Sequence, residues 1–255
     1  MLNDYLKQAN ILTVDSGVFG AAIKVLETLG NNETFLILYS FLSNKNYSKY
    51  EENIKSVLAA LVPVSMNEII SLIHNDTDKS KIVVLFNLIK DDTSISTNNL
   101  CEIAENILVE SVLLDKDNTE ITDDEINLQL SALKILSDNK WTRASSISIS
   151  FFNIAKDLYK NDNLTISQFK SVIDALPNVA PIDSVIPLTN YLTVINTLKE
   201  KNEDISNDIV LAIINALGAI GDKSAFDSLL AVTYLDYDEI VLQSARKALS
   251  GLRFN

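Results

Sequence analysis

The chain has 255 residues, 47% of them hydrophobic and 22% charged, with 34 Asp and Glu against 21 Lys and Arg for a formal net charge of −13. So much apolar side chain excludes intrinsic disorder, and 6 Gly with 4 Pro exclude collagen-like or linker-like chains. The acidity argues against nucleic-acid binding and anionic membranes, while one Cys (Cys101) and one His (His74) exclude a disulfide framework, a cysteine zinc site and any multi-histidine scheme.

The N-terminus (Met1-Leu-Asn-Asp-Tyr-Leu-Lys-Gln) has neither a basic n-region nor an apolar h-region, so no signal peptide is visible. With the lone Cys, that sets the expectation of a reducing, cytoplasmic setting. The longest nearly unbroken apolar run, Ile209–Ile220, has 12 residues. That length predicts a buried core helix and no membrane insertion. Four Asn-x-Ser/Thr sequons (Asn32, Asn46, Asn75, Asn163) are what chance produces in so Asn-rich a chain.

Helical periodicity runs along the chain. It predicts core stripes at Val18, Ala22, Val25, Leu26 and Leu29, then at Ile54, Val57, Leu58 and Leu61, and at Ile126, Leu130, Leu133 and Leu136. Further stripes are Phe169, Val172, Ile173 and Leu176, Ile209, Ile213, Ala216, Leu217 and Ile220, and Val241, Ala245, Ala248 and Leu249. Capping-box patterns begin at Ser48, Ser65, Thr122 and Thr165, and stop signals fall at Gly30, Pro63, Pro177, Gly221 and Gly251. Together they predict an all-α chain of roughly a dozen helices with short connections. Ser146-Ile-Ser-Ile-Ser-Phe alternates like a strand. An isolated strand has no partner to bond, so helix is expected there.

Self-comparison lays residues 21–35 over 212–226, matching Leu26 to Leu217, Leu29 to Ile220, Gly30 to Gly221 and Phe35 to Phe226. Equivalent anchors at Leu58, Phe86, Leu133, Leu176 and Leu249 follow at steps of 32, 28, 47, 43, 41 and 32 residues. Two short antiparallel helices cannot bury their apolar faces alone, but stacked pairs share a core.

The segments Ile209–Leu230 and Asp238–Leu249 resemble bacterial HEAT repeats. Ile209, Ala212, Ala216, Leu217, Ile220, Gly221 and Asp222, then Ala225 and Leu229, match that pattern, and Asp238, Val241, Ala248 and Leu249 open another unit. The resemblance is best over residues 206–252, fair over 17–42 and weak between. It implies a right-handed α-solenoid of antiparallel helix pairs, a single domain over 1–255 with six to seven irregular repeats. Val210 and Leu242 stand where the family carries Arg, so the Asp/Arg ladder common in such solenoids is missing.

Few residues suggest chemistry. Asp115–Glu125 has the oxygens of an EF-hand loop, but Glu120 replaces the turn Gly and Ile126 the bidentate Glu. His74 with Asp76 and Asp78 reads as turn chemistry rather than a metal site, and Cys101, beside Glu102, as a structural thiol. The expectation is therefore no catalytic residue, no metal and no cofactor. As contacts for a protein partner the sequence offers Trp141 with Arg143, and Tyr234 and Tyr237 with Phe254, Arg246 and Arg253 near the C-terminus. Residues 1–128 hold 20 Asp and Glu against 9 Lys and Arg, and residues 129–255 hold 14 against 12, so a partner of the first half should be basic. An interaction or scaffold module is the leading expectation. A structural subunit of an assembly is the alternative, and a carboxylate-based enzyme on a HEAT-like scaffold follows.

Overall fold

The computed structural model describes residues 1–9, 12–114 and 121–253. Among them the chain is all-α: fourteen α-helices, short 3-10 turns, and no strand beyond one isolated bridge between Asp222 and Arg253. The helices fall into two compact units, residues 1–110 with 121–128, and residues 111–120 with 129–255.

The first unit contains α1 (Leu2–Gln8), α2 (Ser16–Leu29), α3 (Asn32–Phe41), α4 (Glu51–Leu61), α5 (Met66–Asn75), α6 (Lys79–Lys90), most of α7 (Thr97–Leu114) and the first turns of α8 (Asp123–Asp138). Its centre is Phe19, fully buried on α2, with the rings of Tyr5, Phe41, Tyr47 and Tyr50 all within 6.5 Å. Helix α2 lies along α4, where Ser56 donates to Glu27 at 3.3 Å and Gly20 faces the Tyr50 ring.

The second unit contains the rest of α8, α9 (Ser145–Lys160), α10 (Ile166–Val179), α11 (Val185–Glu200), α12 (Asn207–Ile220), α13 (Phe226–Val232) and α14 (Glu239–Ser250). Helix α10 packs on α9 and α12, α12 on α14, and α11 on α12 and α13. A small residue is fully buried in the turn before each of three helices: Ala144 before α9, Ser184 before α11 and Ala225 before α13. Their spacing of 40 and 41 residues is a structural period that the apolar anchors only approximate.

Several sequence expectations are met for identifiable reasons. Thr122 with Glu125 and Thr165 with Gln168 form reciprocal caps, and Gly221 ends α12 at φ +72°, a left-handed cap that suits Gly. Residues 146–151 are helical: in that winding Ser148, Phe151, Phe152 and Ala155 share one buried face.

Other expectations are corrected. On α2 the buried residues are Phe19, Ala22, Ile23 and Leu26, while Val18, Val25 and Leu29 are 57%, 47% and 69% exposed. The apolar arc of α2 is wider than its neighbours cover. Ser48 lies inside a 3-10 turn (Lys45–Tyr50) and caps nothing, and Ser65 stands at the N-cap of α5 with its hydroxyl buried and without a hydrogen-bond partner. A box the spacing rule missed forms instead between Asn31 and Thr34 at the start of α3. Pro177 does not stop α10, which runs on to Val179 because Val179 and Ala180 are fully buried and Asn178 donates to Ser137 at 3.2 Å. The repeat equivalence loosens at its end too, with Phe35 fully buried and Phe226 37% exposed.

Candidate functional site

The candidate contacts lie in the second unit. Trp141 opens the short turn Thr142–Ala144 that leads into α9, and Lys140 reaches it through a left-handed φ of +50°. The Trp141 backbone N–H bonds Leu136 O at 2.9 Å, closing the end of α8, and the Arg143 guanidinium sits 4.9 Å from the centre of the Trp141 ring. The structure thus joins these two residues as a cation–π pair. At the same edge Ser145 donates to Asp183, which ties the start of α9 to the turn before α11.

Tyr234 is 80% exposed after α13. Tyr237, expected at the surface beside it, is buried. Its hydroxyl donates to Asn196 Oδ1 at 3.2 Å, Asn196 Nδ2 donates to Ser228 O at 3.0 Å, and Lys199 lies over its ring at 5.3 Å. Burial pushes the Tyr237 phenol up to about 12. Asn196 thus joins α11 to α13, and Tyr237 ties the segment after α13 to the same residue. Of its expected companions, Arg246 is exposed and paired with Glu239 at 3.5 Å, Arg253 is exposed and bonds Gly221 O through its backbone N–H at 2.9 Å, and Phe254 lies outside the described residues.

His74 is joined by partners that sequence proximity does not reveal. Its Nδ1 is 3.0 Å from Glu110 Oε2 and its Nε2 is 2.9 Å from Asn106 Oδ1, both on α7. Asn106 is held by its own donation to Glu102 O at 2.9 Å, which aims its oxygen at the ring. Lys79 of α6 donates to Glu110 Oε1 at 3.2 Å and to Ile73 O at 3.1 Å. With His74 on α5, Lys79 on α6 and Asn106 and Glu110 on α7, the cluster ties three helices together. Its sequence neighbour Asp76 turns elsewhere, accepting from the Tyr39 hydroxyl at 2.8 Å and from the Asp78 N–H at 2.9 Å. Burial opposes the Asp76 charge, but those two donors and the nearby Lys81 and Lys79 outweigh it and hold the carboxyl below the usual range. Burial, and next the Asp76 carboxylate, push the Tyr39 phenol well up.

Cys101 is fully buried. Among the described residues no group of three or more His, Cys, Asp or Glu is arranged to hold a metal, and residues 115–120 of the acidic segment lie outside the described residues. Two shallow concavities lie in the first unit. One is an open groove of about 450 Å³ between α1 and α3, walled by Leu6, Leu36, Ile37, Phe41 and Tyr47, with the Lys7–Glu33 ion pair at its rim. The second, about 180 Å³, is also lined by Phe41 and Tyr47, whose rings stack 3.9 Å apart, together with Leu42, Ile54 and Val84. No single helix among the described residues is long and apolar enough to cross a membrane. Compared with protein-family models, curated proteins and solved structures, the chain matches none.

Proposed function

We propose that this chain is a non-catalytic protein-interaction or scaffold module, its helix pairs stacked as a right-handed HEAT-like solenoid, whose acidic first unit receives a basic protein partner. The observation that carries the reading is charge. The first unit holds 17 Asp and Glu against 8 Lys and Arg, and three of those eight cations are held by its own carboxylates, Lys7 by Glu33, Lys55 by Glu51 and Glu52, and Lys79 by Glu110. A surface left with that excess attracts basic partners and accelerates their encounter, an effect that salt screens. In the second unit Trp141, Arg143 and Tyr234 are the proposed contacts.

The experiment is capture of partners from the native lysate by the full chain, at low and high salt, repeated with Glu52→Lys and Asp91→Lys, two exposed carboxylates of the first unit. A saturable protein partner that is lost in high salt and weakened by the reversed charges is the expected result. A partner indifferent to both would overturn the acidic-face reading.

A second reading, a structural subunit of a larger assembly, is favoured by Ile240 and Tyr234, 62% and 80% exposed near the C-terminal end. A mass by light scattering above that of one chain would select it.

A further inference from the structure

The structure leaves a largely apolar arc of α2 uncovered, with Lys24 exposed at its edge and the Asp15 carboxylate capping its start. Successive residues of a helix turn by about 100°, so Gly17, Val18, Ala21, Val25, Thr28 and Leu29 fall within an arc of about 120° on α2. All six are exposed, and none is charged. The core of the unit takes the adjacent arc through Phe19, Ala22, Ile23 and Leu26, and α4 lies against the side marked by Gly20 and Glu27. The exposed arc is thus a second apolar face, with Ala21 low enough for another helix to approach and Val18, Val25 and Leu29 standing out to be buried.

We infer that this face of α2 docks an amphipathic helix of a basic partner protein, an assignment that rests on the interaction reading above and gives it a location. Recognition would place an apolar stripe against Val18, Val25 and Leu29, with the partner's Lys and Arg reaching carboxylates of the surrounding unit. The charge argument chooses between occupants. A second copy would bring two units together, each with 17 carboxylates against 8 cations, and like charge opposes that pairing. A basic helix meets the opposite field.

The test is fluorescence anisotropy of a labelled amphipathic helical peptide of leucine and lysine, titrated with the full chain at physiological salt. The same peptide with glutamate for lysine serves as its charge control. Val25→Ser/Leu29→Ser removes the proposed apolar contacts, and Ile186→Ser/Val194→Ser removes two comparably exposed residues of the second unit. The expected result is binding of the lysine peptide alone, weakened about tenfold or more by the α2 pair and unchanged by the control pair. Hydrogen exchange of the unsubstituted chain gives an independent readout, with peptide-dependent protection expected along Ser16–Leu29. Lysine-peptide binding that survives in the α2 pair, with protection confined to other parts of the first unit, overturns the docking site and leaves the basic-partner reading standing. A unit that binds neither peptide overturns both. A dimer that the α2 pair dissolves assigns the face to a second copy and overturns the partner.

Discussion

Gly218 on α12 faces Ala248 on α14 so closely that a Cβ on the glycine would meet the alanine Cβ at 3.0 Å and its Cα at 3.3 Å. Hydrogen is the side chain that lets these two helices reach their present separation, and the contact is with backbone as well as side chain, so the neighbour has little freedom to give way. Gly218→Leu is expected to push α14 off α12 and to destabilise the chain by about 2 kcal/mol, the usual scale of overpacking. Equilibrium urea unfolding measures it, and a midpoint equal to that of the unsubstituted chain would refute the contact.

The His74 brace should appear as coupling. His74→Ala breaks contacts to Glu110 and Asn106, and Glu110→Gln weakens contacts to His74 and Lys79. Each substitution is expected to cost about 1–2 kcal/mol, with the double variant less destabilised than the sum by about 1 kcal/mol. Strict additivity in a double-mutant cycle would show that the pair does not interact.

Two buried serines are expected to be better as alanines. The hydroxyls of Ser65 and Ser184 are buried without a hydrogen-bond partner, and Ser184 occupies the register in which Ala144 and Ala225 recur. Removing an unsatisfied hydroxyl should raise stability by about 0.5–1 kcal/mol per site. The thermal midpoints of Ser65→Ala and Ser184→Ala test this, and a fall at either site would reveal a partner for that hydroxyl.

The Tyr39–Asp76 contact predicts a pH dependence with a definite sign. The folded-state carboxyl of Asp76 lies below its ordinary value, so its contribution is present above the unfolded-state value and is lost as pH falls through the folded one. Asp76→Asn should therefore cost about 1 kcal/mol near neutrality, with the difference from the unsubstituted chain closing below about pH 4. Urea midpoints of both proteins across that range decide it. A gap that widens on acidification would reverse the assigned direction.

Helix α10 shows how much was legible locally. The Thr165–Gln168 cap and the stripe Phe169, Val172, Ile173 and Leu176 agree with one another, and all four stripe residues are buried. Its far end was not legible, because the helix passes Pro177 on the strength of burial and a bond to Ser137, 41 residues away in sequence. Helix α2 carries apolar residues over a wide arc, so periodicity says that it is a helix without saying which part faces inward. Among the candidate contacts, Tyr234 and Tyr237 look alike in sequence. They part because Asn196, on another helix, takes the Tyr237 hydroxyl.

By itself the sequence determined the helical class, most core stripes, the Thr122, Thr165 and Gly221 helix ends, and an acidity concentrated in the first half. These depend on residues within a few turns of one another, where backbone sterics, capping and periodicity act. Tertiary structure decided which face of α2 is left open, that His74 braces three helices instead of standing in a turn with Asp76, and that Tyr237 is interior. Each of those outcomes rests on partners some 30 to 40 positions away, brought within hydrogen-bonding or van der Waals reach only when the helices pack.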